Sequence, residues 1–404
     1  MADPNGRPDI NLLDGTFYGG DPYPAFAWMH ENEPIYHDRT SNVFGITRLD
    51  DIMTISKDSE TYSNAQGIRP DALALPMMID TDHPEHTRRR QLVSKGFVPR
   101  RIAAMEPDIR RVCTEILDAV CERGSCDFVR DIAAWLPLIL IGDMLGIAPE
   151  DRSTLLRWSD EMVSATGSPN EEDMIRAAQD MEDYRSYCLR VVADRRDKPQ
   201  QADLMSVLVH ARVEGKKLTD DDLVHESLLL LIGGDETTRH VISGGAYQLM
   251  LHPDQRQKLV DDPTLIPVAI EEMLRWVSPI QNMQRVVTRP ARVRDHEFKE
   301  GDRLLLEYGA ANRDPLAFDR PGEFDAARSP NDHVAFGGYG HHICLGKSLA
   351  RLELQVMFEE LLRRMPDLEP ASSEAPPRRK SNFIVGYESL PVRFSPTAPL
   401  GKAA

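Results

Sequence analysis

The chain has 404 residues, and its 65 Asp and Glu residues against 48 Lys and Arg residues give a formal net charge of −17. This acidic balance disfavours binding to nucleic acid or to anionic membranes, because like charges repel. The five scattered Cys residues do not form a disulfide framework and favour a reducing compartment. The first residues lack a signal-peptide pattern and no apolar run reaches membrane-spanning length, so we expect a cytoplasmic protein.

Helices dominate the predicted secondary structure, because apolar residues recur at three-to-four spacing along most of the chain. The predicted helices are residues 22–33, 84–97, 99–122, 128–145, 149–165, 170–195, 202–213, 220–251, 253–261, 267–277 and 346–365. Strands are predicted at residues 34–38, 43–47, 283–292, 303–308 and 382–394. Residues 310–340 are rich in Gly, Pro, Asp and Arg without a sustained period, which indicates a long irregular segment held by specific contacts.

No internal repeat or linker divides the sequence. We therefore predict a single, mainly α-helical domain over residues 1–404. Residues 396–404 are rich in Pro and Ala, and we expect them to form a loose C-terminal tail.

The predicted helix 220–251 carries an unusual central sequence, Gly233-Gly234-Asp235-Glu236-Thr237. Each mid-helix glycine costs roughly 1 kcal/mol relative to Ala, so a compensating contact is expected there, such as a ligand against the bare backbone. Glu236 and Thr237 then supply a carboxylate and a hydroxyl side by side, and an acid–alcohol pair can relay protons. A salt-bridged helix with a loose packing notch is the alternative.

The sharpest signal is Cys344, which follows a loop of several glycines and comes just before the predicted helix 346–365. The free N–H groups of that helix N-terminus would face the sulfur, favour a thiolate and tune any metal bound to it. No second Cys or suitably spaced His lies nearby, which excludes a zinc or iron–sulfur cage. One axial thiolate on a haem iron fits this pattern, and a buried free Cys beside a turn is the alternative.

The loop from Phe336 to Gly346 resembles the haem-ligand loop of the cytochrome P450 superfamily. Three more segments agree with that family in the expected order: LLLLIGGDETTRH at 228–240, EMLR at 272–275 and FDAAR at 324–328. The resemblance implies a single-domain P450 fold, with haem b held between the long helix and the cysteine loop. One departure is that Phe336 lies eight residues before Cys344, whereas the common pattern places it seven before, which leaves open which ring shields the sulfur.

By the same resemblance, the haem would be bound through Cys344, with Gly233 and Gly234 lining its face and Glu236 and Thr237 as the catalytic pair. His86 and Arg90 lie at i and i+4 on one face of the predicted helix 84–97, where a His and an Arg could bind the haem propionates. The resemblance adds Arg285 and His342 to these propionate-binding residues. It also implies that Arg328 joins Glu272 and Arg275 in a structural charge cluster that pins the irregular segment.

The expected substrate contacts are mostly apolar, which indicates a lipophilic substrate. The predicted contacts are Ile68, Leu73, Leu75, Met77, Met78, Val163, Gly233, Ile280, Met283, Phe383 and Ile384. The segments at 66–86, 121–146, 230–240 and 382–392 resemble actinobacterial steroid side-chain monooxygenases, which oxidise the terminal methyl of cholesterol or cholest-4-en-3-one. Another terpenoid or a fatty-acid-like substrate is the alternative.

A local excess of basic residues interrupts the acidic chain, and it comprises Arg88, Arg89, Lys95, Arg100, Arg101, Lys347 and Arg351. Such a patch beneath the haem would suit an acidic electron donor, and we expect a ferredoxin with its reductase. A solvated helix face is the alternative. The alternatives for the whole chain are a peroxide-using haem enzyme, a haem-binding sensor or carrier without turnover, and a helical binding protein with an incidental Cys.

Overall fold

The computed structural model describes residues 7–166, 168 and 170–401. These residues contain fifteen α-helices and twelve short strands. The helices are α1 Gly15–Gly19, α2 Tyr23–Asn32, α3 Leu49–Lys57, α4 Glu85–Ser94, α5 Pro99–Ala103, α6 Glu106–Asp118, α7 Trp135–Leu145, α8 Arg152–Ser164, α9 Glu171–Arg196, α10 Leu204–His210, α11 Asp220–Leu251, α12 Pro253–Asp261, α13 Ile266–Val277, α14 Tyr308–Ala311 and α15 Lys347–Arg364. The strands are β1 Ile35–Asp38, β2 Val43–Ile46, β3 Tyr62–Ser63, β4 Ser125–Asp127, β5 Arg212–Val213, β6 Lys216–Lys217, β7 Asn282–Val287, β8 Ala291–Val293, β9 His296–Phe298, β10 Arg303–Glu307, β11 Glu369–Pro370 and β12 Pro391–Arg393. The predicted mainly α class is confirmed.

The 32-residue helix α11 runs through the centre of the helical layer, and at 1.5 Å per residue it is about 48 Å long. Thr219 begins it with a capping box, because its hydroxyl accepts from the Asp222 N–H at 3.1 Å and the Asp222 carboxylate accepts from the Thr219 N–H at 2.9 Å. Helices α7, α9, α13 and α15 pack around α11. Most of its residues from 223 to 250 are therefore buried, as expected for a helix covered on several sides.

A five-stranded sheet, in the order β1-β2-β10-β7-β3, packs beside the helices. Only β2 and β10 pair in parallel within it, and the other neighbours are antiparallel. Successive side chains of a strand point to opposite faces, so Met283 and Arg285 of β7 share one face while Asn282 and Gln284 share the other. This alternation decides which residues of β7 reach the interior cavity described below.

A buried charge cluster pins the irregular segment that follows α14. The Glu272 carboxylate accepts from Arg275 at 2.7 and 2.8 Å and from Arg328 at 3.0 Å. The two guanidiniums also donate to backbone carbonyls of the irregular segment, namely those of Asn312, Pro321 and Glu323 for Arg275 and of Asp319, Arg320 and Glu323 for Arg328. The structure thus places Arg328 beside Glu272 and Arg275, as the resemblance implies.

Two predicted helices are interrupted. The predicted helix 99–122 divides into α5 and α6, because Pro107 in the first turn of α6 lacks the N–H that would donate to the carbonyl of Ala103, where α5 ends. The predicted helix 128–145 begins as a π-helical segment, Phe128–Ala133, before α7. Asp127 caps that segment by accepting from the N–H groups of Val129 and Arg130.

Three other local predictions differ from the structure. Helix α3 is absent from the prediction, although Leu49, Ile52 and Ile55 form its buried face at helical spacing. The predicted strand 382–394 is a strand only at Pro391–Arg393, and the rest is a loop with one isolated bridge between Ile384 and Ile280. The expected loose tail is held as far as residue 401, because Asp118 accepts from the N–H groups of Leu400 and Gly401 at 3.0 Å. Residues 402–404 of that tail lie outside the described residues.

Within the described part of the chain, no helix is both long enough and apolar enough to cross a lipid bilayer.

The substitution Arg328→Met should lower the free energy of unfolding by about 3 kcal/mol, since it leaves part of the buried Glu272 charge uncompensated. Urea unfolding followed by circular dichroism measures this change. Arg320→Met removes an exposed ion pair with Glu323 from the same segment and should cause no measurable change. Equal effects of the two substitutions would contradict the pinning role of Arg328.

Candidate active site

A large internal cavity lies between the middle of α11, the start of α15 and the loop before α15. Its empty volume is about 1480 Å³, including its opening to solvent. Most of the side chains that line it are apolar, and a few charged and histidine side chains converge on it.

Cys344 lines the cavity three residues before α15 begins. Its N–H donates to the carbonyl of Phe336 at 3.0 Å, which closes the loop. Burial raises the pKa of the thiol, while the Gly346 N–H and the charge of Arg90 act in the opposite direction without outweighing it. The Gly346 N–H thus favours the thiolate, although burial outweighs it, and a metal cation bound to the sulfur would favour the thiolate further.

Gly337 stands where the common pattern has Phe, and its φ of +85° is a left-handed conformation that favours glycine. The preceding residue, Phe336, lines the cavity. The Arg351 guanidinium lies over its ring, 4.6 Å from the centroid. Phe336 thus lies beside the cysteine loop.

The four predicted propionate-binding residues, His86, Arg90, Arg285 and His342, all line this cavity. The His86 and His342 rings have their centroids 4.0 Å apart. The Nδ1 atom of His86 and both ring nitrogens of His342 are buried and find no hydrogen-bond partner among the described residues. Arg90 donates to the carbonyl of Ile343 at 2.6 Å, and Arg285 donates to the carbonyl of Gln284 at 2.7 Å.

These residues fit a haem group. Burial is the main cause that lowers the pKa of His86 to about 4 and that of His342 to about 2, and the charge of Arg90 adds to it. Both rings are therefore neutral at pH 7, and each offers one N–H donor beside the positive charges of Arg90 and Arg285. Buried donors without acceptors cost free energy, and the two propionate carboxylates of haem would accept their hydrogen bonds.

Helix α11 contributes Gly233, Gly234 and Thr237 to the cavity wall. A Cβ added to Gly233 would meet nothing within 4 Å, whereas a Cβ added to Gly234 would lie 2.7 Å from the Ile141 side chain of α7. Gly233 thus exposes helix backbone to the cavity, and Gly234 allows α7 to pack closely. The Thr237 hydroxyl donates to the carbonyl of Gly233 at 3.0 Å.

Glu236 does not line the cavity with Thr237. Adjacent residues of an α-helix point about 100° apart, and the Glu236 carboxylate is wholly buried behind the cavity-lining face. It accepts from Arg239 and Arg379 at 2.6 Å each and from the Ser159 hydroxyl at 3.0 Å. Burial favours a higher pKa for this carboxyl, but Arg239 and Arg379 outweigh burial and hold the pKa well below its ordinary value.

This charge cluster joins three distant parts of the chain. Asp160 of α8 binds both Arg239 of α11 and Arg379 of the C-terminal loop. The Nε2 atom of His240 lies 3.6 Å from the Glu236 carboxylate, and burial is the main cause that lowers the pKa of His240 to about 4. The cluster therefore ties α8 to the back of α11 through ion pairs.

Four of the predicted substrate contacts line the cavity, and these are Met78, Gly233, Ile280 and Met283. Five others do not line it although they are buried or half-buried, and these are Ile68, Met77, Val163, Phe383 and Ile384. Leu73 and Leu75 are 89% and 39% exposed, because residues 71–75 turn outward to solvent. Residues 167 and 169, in the predicted contact segment 162–170, lie outside the described residues.

The structure adds cavity residues that the sequence prediction omits, among them Phe97, Ile141, Leu229, Leu230, Val241, Tyr308 and Glu353. A signal for two of them is present in the sequence, since Leu229 and Val241 follow the four-residue spacing set by Gly233 and Thr237. Phe97, Tyr308 and Glu353 come from other elements and become neighbours only through the tertiary fold.

Ion pairs neutralise part of the predicted basic patch. Arg88 pairs with Glu214 at 2.8 Å, Arg351 pairs with Glu271 at 2.7 Å, and Arg89 binds Glu85, Asp222 and Glu226 at 2.7–3.3 Å. Lys95, Arg100 and Arg101 are exposed. The predicted patch is therefore less positive than the sequence suggests.

Comparisons with known proteins agree with this geometry. The family model of Cytochrome P450 matches residues 140–394, more than half of the chain. The Steroid C26-monooxygenase of Mycolicibacterium smegmatis is 46% identical over 396 residues, which are 98% of this chain and 98% of that protein. The Steroid C26-monooxygenase of Mycobacterium tuberculosis strain H37Rv is 46% identical over 397 residues, which are 98% of this chain and 99% of that protein.

Solved structures agree as well. A Bacillus megaterium cytochrome P450 in complex with testosterone has a TM-score of 0.85 and 32% identity, covering 93% of this chain and 98% of that chain. A Mycobacterium marinum cytochrome P450 in complex with pseudoionone has a TM-score of 0.89 and 30% identity, covering 98% of this chain and 99% of that chain. The predicted fold, haem b cofactor and monooxygenase class are thus confirmed, and the chain belongs to the cytochrome P450 family.

Proposed function

We propose that this protein is a haem-thiolate monooxygenase that hydroxylates the terminal methyl group of a steroid side chain, with cholesterol or cholest-4-en-3-one as the substrate. Further turnovers would oxidise the alcohol through the aldehyde to the acid. The observation that carries this proposal is the 46% identity, over nearly the whole of both chains, to two steroid C26-monooxygenases. The cavity supports it, because most of the side chains that line the cavity together with Cys344 are apolar.

The four predicted propionate-binding residues and the cysteine loop hold the cofactor in this proposal. Cys344 would bind the haem iron through its sulfur, and His86, Arg90, Arg285 and His342 would bind the propionates. Haem, when bound there, supplies the activation of dioxygen for insertion of an oxygen atom into a C–H bond. The bare backbone at Gly233 allows close approach of the cofactor and the substrate to α11.

Thr237 and Glu236 supply protons from different faces of α11. The Thr237 hydroxyl lies at the cavity wall and can exchange its bond to the Gly233 carbonyl for a bond into the cavity. The Glu236 carboxylate is held by Arg239 and Arg379. We infer that it serves the Thr237 hydroxyl after its side chain rotates out of that ion-pair cluster, because no cavity-facing position is open to it otherwise.

The electron donor in this proposal is a ferredoxin with its reductase. The exposed basic residues directly after α4 are Lys95, Arg100 and Arg101. An acidic one-electron carrier would be steered towards such residues at low ionic strength.

The test of the proposed reaction is turnover of cholest-4-en-3-one with a ferredoxin, a ferredoxin reductase and NAD(P)H, followed by mass spectrometry of the products. We expect a side-chain alcohol hydroxylated at the terminal methyl. A fatty acid of comparable chain length is the parallel substrate. Oxidation of the fatty acid without oxidation of the steroid would contradict the steroid assignment, and binding of the steroid without oxygen consumption would contradict an enzymatic role.

The substitution Cys344→His should replace the sulfur ligand with a nitrogen ligand. We expect the Soret band of the ferrous carbonyl adduct to move from the position typical of thiolate ligation to that of histidine ligation. Replacing the buried Cys113 of α6 with Ser is the matched control and should leave the band unchanged. A wild-type spectrum of the histidine-ligated type would contradict the role of Cys344.

The substitution Thr237→Ala should uncouple oxygen consumption from product formation, because it removes the hydroxyl at the cavity wall. We expect the product formed per NAD(P)H oxidised to fall by about tenfold, equivalent to roughly 1.4 kcal/mol. Ser243→Ala removes a buried hydroxyl of the same helix that does not line the cavity, and it should retain most of the coupling. Equal coupling in the two variants would show that Thr237 has no special role in proton supply.

A further inference from the structure

Three segments that are far apart in sequence meet behind one wall of the cavity. The N–H of Gln284 in β7 donates to the carbonyl of Ile68 at 2.8 Å, which joins β7 to residues 67–69. The N–H of Gln281 donates to the carbonyl of Phe383 at 2.8 Å, which joins the same region to the C-terminal loop. Pro279, Ile280, Met283 and Arg285 line the cavity, and the other two segments support this wall from behind.

Arg69 lies at the junction of these segments and is 7% exposed. Its Nη1 donates to the side-chain oxygen of Asn282 at 2.7 Å, and its Nη2 donates to the side-chain oxygen of Asn382 at 2.8 Å. Its guanidinium carbon also lies 4.9 Å from the centroid of the Phe383 ring. One planar cation therefore bridges β7 and the C-terminal loop from the segment 67–69.

Hydrogen bonds to other side chains hold the two asparagines in place. The side-chain nitrogen of Asn282 donates to the Tyr18 hydroxyl at 2.9 Å, and that hydroxyl donates to Glu307 of β10 at 3.0 Å. The side-chain nitrogen of Asn382 donates to Asp71 at 2.8 Å. Asn282, Asn382, Tyr18 and Glu307 are all fully buried. Arg69 thus meets acceptors whose positions are already fixed on their far side.

Strand β7 separates this network from the cavity. Asn282 and Gln284 face Arg69 and residues 67–69, whereas Met283 and Arg285 point to the opposite face and line the cavity. Arg69 itself does not line the cavity. Any influence of Arg69 on a bound substrate must therefore pass through the placement of β7 and of the loop that carries Phe383.

We propose that Arg69 is a positioning residue for substrate selectivity, which fixes β7 against the 382–385 loop and so decides which carbon of the substrate chain faces the reactive centre. This inference rests on the proposed function, because it concerns which carbon of the steroid side chain is oxidised. A purely structural arginine would affect stability alone. A positioning arginine would change the distribution of products as well.

The experiment compares Arg69→Gln, Arg69→Lys and the matched control Arg303→Gln in the full-length, haem-loaded protein. Arg303 of β10 is half-buried and its side chain donates to the carbonyls of Pro70 at 3.2 Å and Ser41 at 2.7 Å. Its backbone pairs with Val286 of β7, but its guanidinium makes no hydrogen bond to β7 or to the 382–385 loop among the described residues. The first measurement is the ratio of terminal to non-terminal hydroxylation of cholest-4-en-3-one. The second is amide hydrogen exchange of residues 66–79, 280–287 and 382–386, which needs no turnover.

We expect Arg69→Gln to lower the terminal-to-non-terminal ratio by about tenfold, because a tenfold ratio corresponds to about 1.4 kcal/mol, less than two hydrogen bonds to a charged group contribute. Exchange should accelerate in all three segments. Arg69→Lys should fall between the wild type and Arg69→Gln, since a lysine cannot bridge both asparagines with a planar fork. Arg303→Gln should change the ratio by less than about twofold, because the Arg303 guanidinium does not bridge β7 and the 382–385 loop.

An unchanged product ratio in Arg69→Lys and Arg69→Gln would overturn the inference. Faster exchange with an unchanged ratio would show that Arg69 is a purely structural residue. Should Arg69→Gln fail to bind haem, the Arg69→Lys variant decides in the same way. Failure of the wild type to oxidise any steroid would overturn the proposed function instead. In that case the exchange comparison still decides whether Arg69 holds the wall.

Discussion

The arrangement of charge around the cavity is the constraint on which the rest of the structure depends. On one side lies the Cys344 sulfur, whose neutral form is favoured by burial. Elsewhere the cavity is lined by the buried ring nitrogens of His86 and His342 and by the guanidinium groups of Arg90 and Arg285. Such a set favours a ligand that carries a metal cation for the sulfur and negative charge for the buried donors. A porphyrin that carries a central metal cation and two peripheral carboxylates meets both requirements, and the helices around α11 supply the space for it.

Helix α11 divides the chemistry of the protein into two compartments. On one side, Gly233 and Thr237 belong to the cavity, and on the other Glu236 belongs to an ion-pair cluster with Arg239, Arg379 and Asp160. Because Asp160 comes from α8 and Arg379 from the C-terminal loop, the electrostatic state of the acid is linked to the docking of two separate segments. The helix thus forms a wall of the cavity and separates the cavity from the ion-pair cluster.

The sequence predicts the long helices well because their signals are local. The limits of α11 and α12 match the prediction, since a capping box and a proline mark their starts. For the candidate site, the sequence predicts the cysteine loop and the four residues expected to bind the propionates, and the structure places all of these at the cavity. The family resemblance also places Arg328 with Glu272 and Arg275.

The failures have tertiary causes. Neighbouring positions on a helix face different directions, so the adjacency of Glu236 and Thr237 in sequence does not bring both side chains to the cavity. Leu73 and Leu75 are apolar but exposed, because the course of a loop is not encoded in the hydrophobicity of its residues. Arg69 gives no sequence signal at all, since its partners Asn282 and Asn382 lie more than two hundred residues away.

The unequal surroundings of the paired glycines on α11 have a consequence for how this pocket can be reshaped. Position 233 borders empty space, so a methyl group there would subtract volume from the ligand chamber while leaving interhelical packing intact. Position 234 is in contact with Ile141, so the same methyl group would push two helices apart. Evolution or design can therefore tune the size of accepted molecules at one glycine, while its neighbour is fixed by the architecture.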